Sequence, residues 1–136
     1  MKSRVVAVAL IKKDNQILLG KKPPGKGPYP NTWHIPGDGV NLGEETCEEA
    51  LIREIKEETG LIVKNLKKVS WDTDVEPDKN REPTYYIFLQ FSCDYESGEL
   101  VAGNDMQHFE WADIDKFSKY NLNRPTKILF KKLGML

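Results

Sequence analysis

The chain has few of the residues that build disulfide-stapled or zinc-stapled domains. Two cysteines and two histidines stand among 136 residues. Two thiols in a chain of this size give no disulfide framework, and His34 and His108 lack metal-ligand spacing. Neither sign of charge prevails. Twenty Lys and Arg against 21 Asp and Glu leave a formal net charge of −1, so nothing drives the whole molecule toward nucleic acid or an anionic membrane. No apolar run is long enough to span a bilayer. The apolar stretch from Val5 to Ile11 is too short for a signal segment, and Lys12-Lys13-Asp14 stands where a small-residue cleavage site would be. It reads as a buried strand. Repeats, linkers and low-complexity tracts are missing too. What remains, 39% hydrophobic and 30% charged, is the composition of a soluble globular protein. Its length predicts a single domain over 1–136 with a real core. The cytoplasm is the expected compartment.

Alternation and turn chemistry predict the elements. Val5 to Lys13 and Gln16 to Lys22 form a hairpin about Asp14-Asn15. Pro23 to Asn31 is a loop with restricted geometry. Thr32 to Ile35 is a short strand leading into a glycine-rich loop, 36–45. Leu61 to Thr73 gives one or two strands, and Asp74 to Pro83 reads as loop. Thr84 to Tyr95, rich in Tyr, Phe and Ile, is the strongest strand. Glu96 to Asp105 is a second loop. Met106 to Trp111 is a short strand, and Asp113 to Tyr120 a helix start. Pro125 suits the first turn of a final helix ending near Gly134.

One helix carries the chemistry. Thr46 and Glu49 make a T-x-x-E capping box, and Gly60 supplies a left-handed stop, so a helix is predicted over 47–59. Glu54, Glu57 and Glu58 lie at i, i+3 and i+4 and are neighbours on its surface. With Cys47 at zero on a helical wheel, the apolar stripe of Cys47, Leu51, Ile55 and Ile52 spans about 0–140°. Glu58 and Glu54 fall near 20° and 340°, and Glu57 near 280°. These acids border the core stripe instead of opposing it, as a solvated acidic face would. Like charges at this spacing repel, and the last turn of a helix favours cations. A bound divalent cation reverses all these penalties. Mg²⁺ seeks such oxygen ligands and usually arrives with substrate phosphates.

The segment from Gly39 to Leu61 resembles the Nudix box, G-x5-E-x7-R-E-U-x-E-E-x-G-U with U aliphatic. Gly39, Glu45, Arg53, Glu54, Ile55, Glu57, Glu58, Gly60 and Leu61 fill every fixed position. The flanks, Trp33-His34-Ile35-Pro36-Gly37 and Phe109-Glu110-Trp111, also look like the Nudix family. Family members usually read P-G-G-x-V-E-x-G-E before the helix cap. Here Pro36 to Glu44 fits that template with Asp38 and Asn41 substituted, which makes Glu45 an extra residue. The two alignments give the first acidic position to different residues, Glu45 or Glu44. In the family that acid braces the loop, often against the box arginine.

The resemblance implies an α/β fold, a Nudix-type α/β/α sandwich with a mixed β-sheet. It implies a hydrolase that uses Mg²⁺ or Mn²⁺ to cleave the pyrophosphate linkage of a nucleoside diphosphate derivative. Glu54, Glu57, Glu58 and the Gly37 carbonyl would hold the metal, and Glu54 is either a ligand or the general base. Arg53 would brace a loop carboxylate or a phosphate, although a plain helical ion pair with Glu49 or Glu57 reads as well from spacing alone. In the family a further acid comes from the loop before the F-x-W strand; Asp105 holds a comparable place and Glu99 is a second candidate. Lys22 ends the second strand where the family often has a base near the substrate phosphates, with Lys21 and Lys26 close by. Trp33 is a candidate for stacking on a nucleobase or for the core, and Tyr86 and Phe88 share one strand face. The leading expectation is a nucleoside triphosphate substrate. A nucleotide sugar, dinucleotide or coenzyme is the alternative, and a non-catalytic nucleotide sensor is a third reading, disfavoured by the intact acids. The expected partner is a small nucleotide, with no nucleic acid and no membrane. A homodimer fits the family's habit.

Overall fold

The computed structural model describes residues 1–25, 27–101 and 108–136. Strands β1 (Lys2–Lys13) and β2 (Gln16–Lys21) form the expected hairpin. They are followed by β3 (Trp33–His34), β4 (Gly37–Gly39), helix α1 (Cys47–Thr59), β5 (Ile62–Pro77), β6 (Pro83–Ser97) and β7 (His108–Asp113). A 3₁₀ turn over Ile114–Lys119 and helix α2 (Arg124–Lys132) close the chain. Asn123 caps α2 by accepting the Thr126 N–H, and Pro125 sits in its first turn.

The sheet is mixed. Its order is β3-β2-β1-β6-β5, with β4 on β1 and β7 on β2. The β1–β6 pair is parallel from Lys2↔Thr84 to Lys12↔Asp94, and the other pairings are antiparallel. Ala7, Ala9 and Ile11 of β1, with Phe91 and Cys93 of β6, pack against Leu51 and Ile55 of α1. On the other face Leu10, Ile17 and Leu19 meet Phe117, Leu129 and Phe130. Alternating residues of single strands thus serve two helix layers, which gives the expected α/β sandwich. No helix among the described residues is long and apolar enough to cross a membrane.

Three expectations need correction. Asp74 to Pro77, read as loop, continues β5, because each residue finds a partner on β6, from Asp74↔Tyr86 to Pro77↔Pro83. Part of the glycine-rich loop is strand: Gly37–Gly39 pairs with Val6–Val8 of β1. Ile52 is exposed. The buried arc of α1 runs from Ala50 through Leu51 and Ile55 to Thr59, about 300° to 120° on the wheel used above, and Ile52 falls outside it. Small Ala50 lies on the side of the helix that the apolar count had left out.

Strand β1 is divided along one edge. Its end, Lys12 and Lys13, pairs with β2, while Val6 to Val8 pairs with β4. Between them Ala9 N–H donates to the Pro36 carbonyl. The Pro36–Gly39 segment is thereby stitched to the middle of the sheet, beside the C-terminal half of α1.

Candidate active site

Helix α1 begins and ends on local chemistry. Thr46 Oγ1 accepts the Glu49 N–H at 3.1 Å, and the Glu49 carboxylate accepts the Thr46 N–H at 2.8 Å. Gly60, at φ 81°, donates to the Lys56 carbonyl. With both ends fixed, the rotation of the helix is set by its buried arc, and that arc has its centre close to Glu58.

Glu58 is therefore carried inward. Its Oε2 accepts the Gly37 N–H at 3.4 Å. Burial pushes its carboxyl up to about 8, and the charges of Asp38 and Glu54 push the same way, against the Gly37 hydrogen bond and the charge of Lys22. Glu54 is also raised, by burial first, while its ion pair with Arg53 opposes. Oxygens of Asp38, Glu54 and Glu58 lie within 4.8 Å of one another. Hard oxygen donors so placed fit Mg²⁺ or Mn²⁺. The fit rests on the donor set and on a half-buried carboxylate whose one hydrogen bond among the described residues is long.

Arg53 organises the other side of the helix. Its Nε and Nη2 hold both oxygens of Glu45, at 2.9 and 2.7 Å. Nη1 donates to Glu54 at 2.8 Å and to Glu57 at 3.3 Å. Glu45 Oε2 also accepts the Asn41 N–H. This two-pronged grip ties the loop to the helix, and it holds the Glu45 carboxyl down at about 2. The neighbouring Glu44 is exposed. The acid that meets the arginine is Glu45. The one-residue offset is taken up by the Glu44 turn, where Glu44 N–H donates to the Asn41 carbonyl.

Gly37 has no room for a side chain. At φ +137° a Cβ would lie 2.0 Å from the Ala7 carbonyl oxygen. This close approach brings the loop backbone against β1 next to the acids.

A cavity of about 450 Å³ opens from the acids across the α2 face of the sheet. Its lining includes Glu58, Asp38, Gly37 and Lys22 together with Tyr29, Tyr86 and Phe88. Tyr86 and Phe88 are stacked, with centroids 5.7 Å apart, and Tyr29 lies 6.3 Å from Phe88. Gln90, His34 and Thr126 add polar groups. His34 is buried, and burial pushes its imidazole down to about 4. A volume of this size with a few convergent polar groups suits a small molecule.

The structure thus brings Glu54, Glu58, Arg53, Gly37 and Lys22 to one place. Glu57 stands outside that carboxylate group, its side chain 60% exposed and accepting from Arg53. Trp33 does not line the cavity. It packs edge-on to Tyr120 at 5.0 Å and to His108 at 6.0 Å, on the apolar cluster under α2. Glu99 is exposed and stands outside the carboxylate group. Asp105 and Lys26 lie outside the described residues. Sequence reasoning missed Arg4, Asp38, Tyr29 and Gln90. Of these only Asp38 left a signal, as an acid where the family template has glycine.

A model of the NUDIX domain matches residues 1–133. The chain is 32% identical over 142 residues to the nucleoside triphosphatase NudI of Salmonella arizonae, covering the whole of both chains. It is equally similar, over the same span, to the NudI proteins of Escherichia fergusonii and Klebsiella pneumoniae. Among solved structures it resembles a MutT NUDIX hydrolase from Burkholderia pseudomallei, with a TM-score of 0.81 and 22% identity over 98% of this chain and 99% of the other. A MutT protein from Bacillus halodurans superposes with a TM-score of 0.77 at 25% identity, over 94% and 80% of the two chains.

Proposed function

The chain belongs to the NUDIX domain family, and from that premise we propose that it hydrolyses a nucleoside triphosphate at a pyrophosphate linkage, with Mg²⁺ or Mn²⁺. The observation that carries this reading is a cavity lined both by clustered carboxylates and by a group of aromatic rings. Phosphates need the first and a nucleobase the second. The name nucleoside triphosphatase on relatives 32% identical over their full length supports the choice of substrate.

Glu54 and Glu58 would hold the cation from the helix, and Glu57 and the Gly37 carbonyl would complete its ligands. When bound, the cation would supply charge neutralisation for the phosphates and a lowered pKa for a water. Arg53 keeps the loop and helix in register by gripping Glu45. Glu54 takes the proton as the water oxygen attacks phosphorus and the anhydride P–O bond breaks. The products are a nucleoside monophosphate and pyrophosphate. Lys22, which lines the cavity and acts on Glu58 by its charge, meets phosphate charge. Tyr86, Phe88 and Tyr29 cover the base. Two free thiols, Cys47 and Cys93, suit the reducing cytoplasm, where we place the reaction.

A panel of nucleoside triphosphates, nucleotide sugars and dinucleotides, each with Mg²⁺ or Mn²⁺, tests the proposal through released pyrophosphate or phosphate. Turnover of triphosphates with pyrophosphate release is expected. Faster cleavage of a sugar nucleotide or dinucleotide would reassign the substrate. Binding without turnover across the panel would make the domain a sensor.

A further inference from the structure

Asp38 stands where the family template carries glycine. Its backbone pairs with Ala7 in the short β4 ladder, a role that needs no carboxylate. Its side chain is half exposed yet places an oxygen within 4.8 Å of oxygens on Glu54 and Glu58. Three acids in that space repel one another. One guanidinium holds the third acid in place. Arg4 Nη2 donates to Asp38 Oδ1 at 3.0 Å, and the Gly39 N–H donates to the same oxygen at 2.8 Å. Gly39 is what lets the guanidinium in, since a Cβ there would lie 2.5 Å from Arg4 Nη2. The segment therefore carries an acid close to the helix carboxylates, a cation to steady it and a notch for that cation.

We propose that Asp38 is an additional metal ligand of this chain, facing Glu54 and Glu58 from the loop, and that Arg4 is its counterion before the cation arrives. The metal would be held between β4 and α1 instead of by the helix alone. Arg4 opposes loading, because a fixed positive charge stands against the same carboxylate the metal needs. This rests on the metal reading given above.

The test is Mn²⁺ binding to the full chain without nucleotide, followed by titration calorimetry and by the number of waters left on the bound ion, from magnetic resonance. The wild type is compared with Asp38→Ala, Arg4→Gln and Glu58→Gln. Loss of Asp38 should weaken Mn²⁺ about tenfold or more, as expected when a charged ligand is removed, and should add one water to the ion. Arg4→Gln should tighten binding several-fold with no change in that water count. Equal affinity and hydration in Asp38→Ala and wild type would overturn the assignment and leave the helix site standing. Weaker binding with an unchanged water count would also overturn it, since Asp38 would then act only through its field. If wild type binds Mn²⁺ no better than Glu58→Gln, the metal reading itself fails, and the ligand role of Asp38 with it.

Discussion

Replacing Glu58 by glutamine should stabilise the metal-free protein while removing its response to metal. Glu58 is half-buried on the core side of α1, and loss of solvent pushes its carboxyl from 4.5 up to about 8. Between those values the folded chain keeps a proton that the unfolded chain has released. Stability contributed by this group is therefore lost as pH rises from about 5 to 8. The whole displacement corresponds to roughly 5 kcal/mol at 1.36 kcal/mol per decade. Water entering from the cavity mouth lowers the effective cost, and about 2 kcal/mol is expected. For a domain of this size that is roughly 6–10 °C in melting temperature. The assay is thermal unfolding in EDTA across pH 5 to 8.5. Wild type and Glu58→Gln should melt together near pH 5, with the variant pulling ahead as pH rises. Added Mn²⁺ should then raise the wild-type melting temperature at pH 8 and move the variant little. A gap that stays constant with pH, or a variant that melts below wild type at pH 8 without metal, would refute the burial argument.

Glu57→Gln should lower kcat by roughly 100- to 1,000-fold with an unchanged melting curve, since the side chain is 60% exposed; steady-state kinetics beside calorimetry decide it. Phe88→Leu keeps apolar volume but loses a ring from the aromatic wall, so KM for the preferred triphosphate should rise roughly 5- to 10-fold with kcat nearly constant. Gly37→Ala places a methyl against the Ala7 carbonyl at a backbone angle of φ +137°; urea unfolding should show a loss of more than about 2 kcal/mol.

Much of the site could be read because it is written in local chemistry. Thr46, Glu49 and Gly60 announce both ends of α1 within a few residues of sequence, and the helix runs from Cys47 to Thr59 as expected. Helical spacing then gathers Glu54, Glu57 and Glu58 on one side. What stayed hidden depends on distant partners. Asp74 to Pro77 is polar, and only the long register with β6 makes it strand. Gly37–Gly39 became β4 because β1 offers a free edge below its pairing with β2. Trp33 was open to two readings, and its packing on Tyr120 is set by a turn nearly ninety residues away. Arg4 and Asp38 are 34 positions apart, and nothing short of the folded sheet brings them together.

The grip of Arg53 on Glu45 changes what spacing means in this segment. Two acids stand side by side, and the guanidinium takes whichever one the connector delivers. Deleting Glu45 would bring Glu44 to eight positions before Arg53, the interval at which the fork now holds its acid. The glycine-to-acid interval is thus elastic where the arginine-to-acid contact is not, so alignments across this stretch are better anchored on the fork than on the count from the glycine.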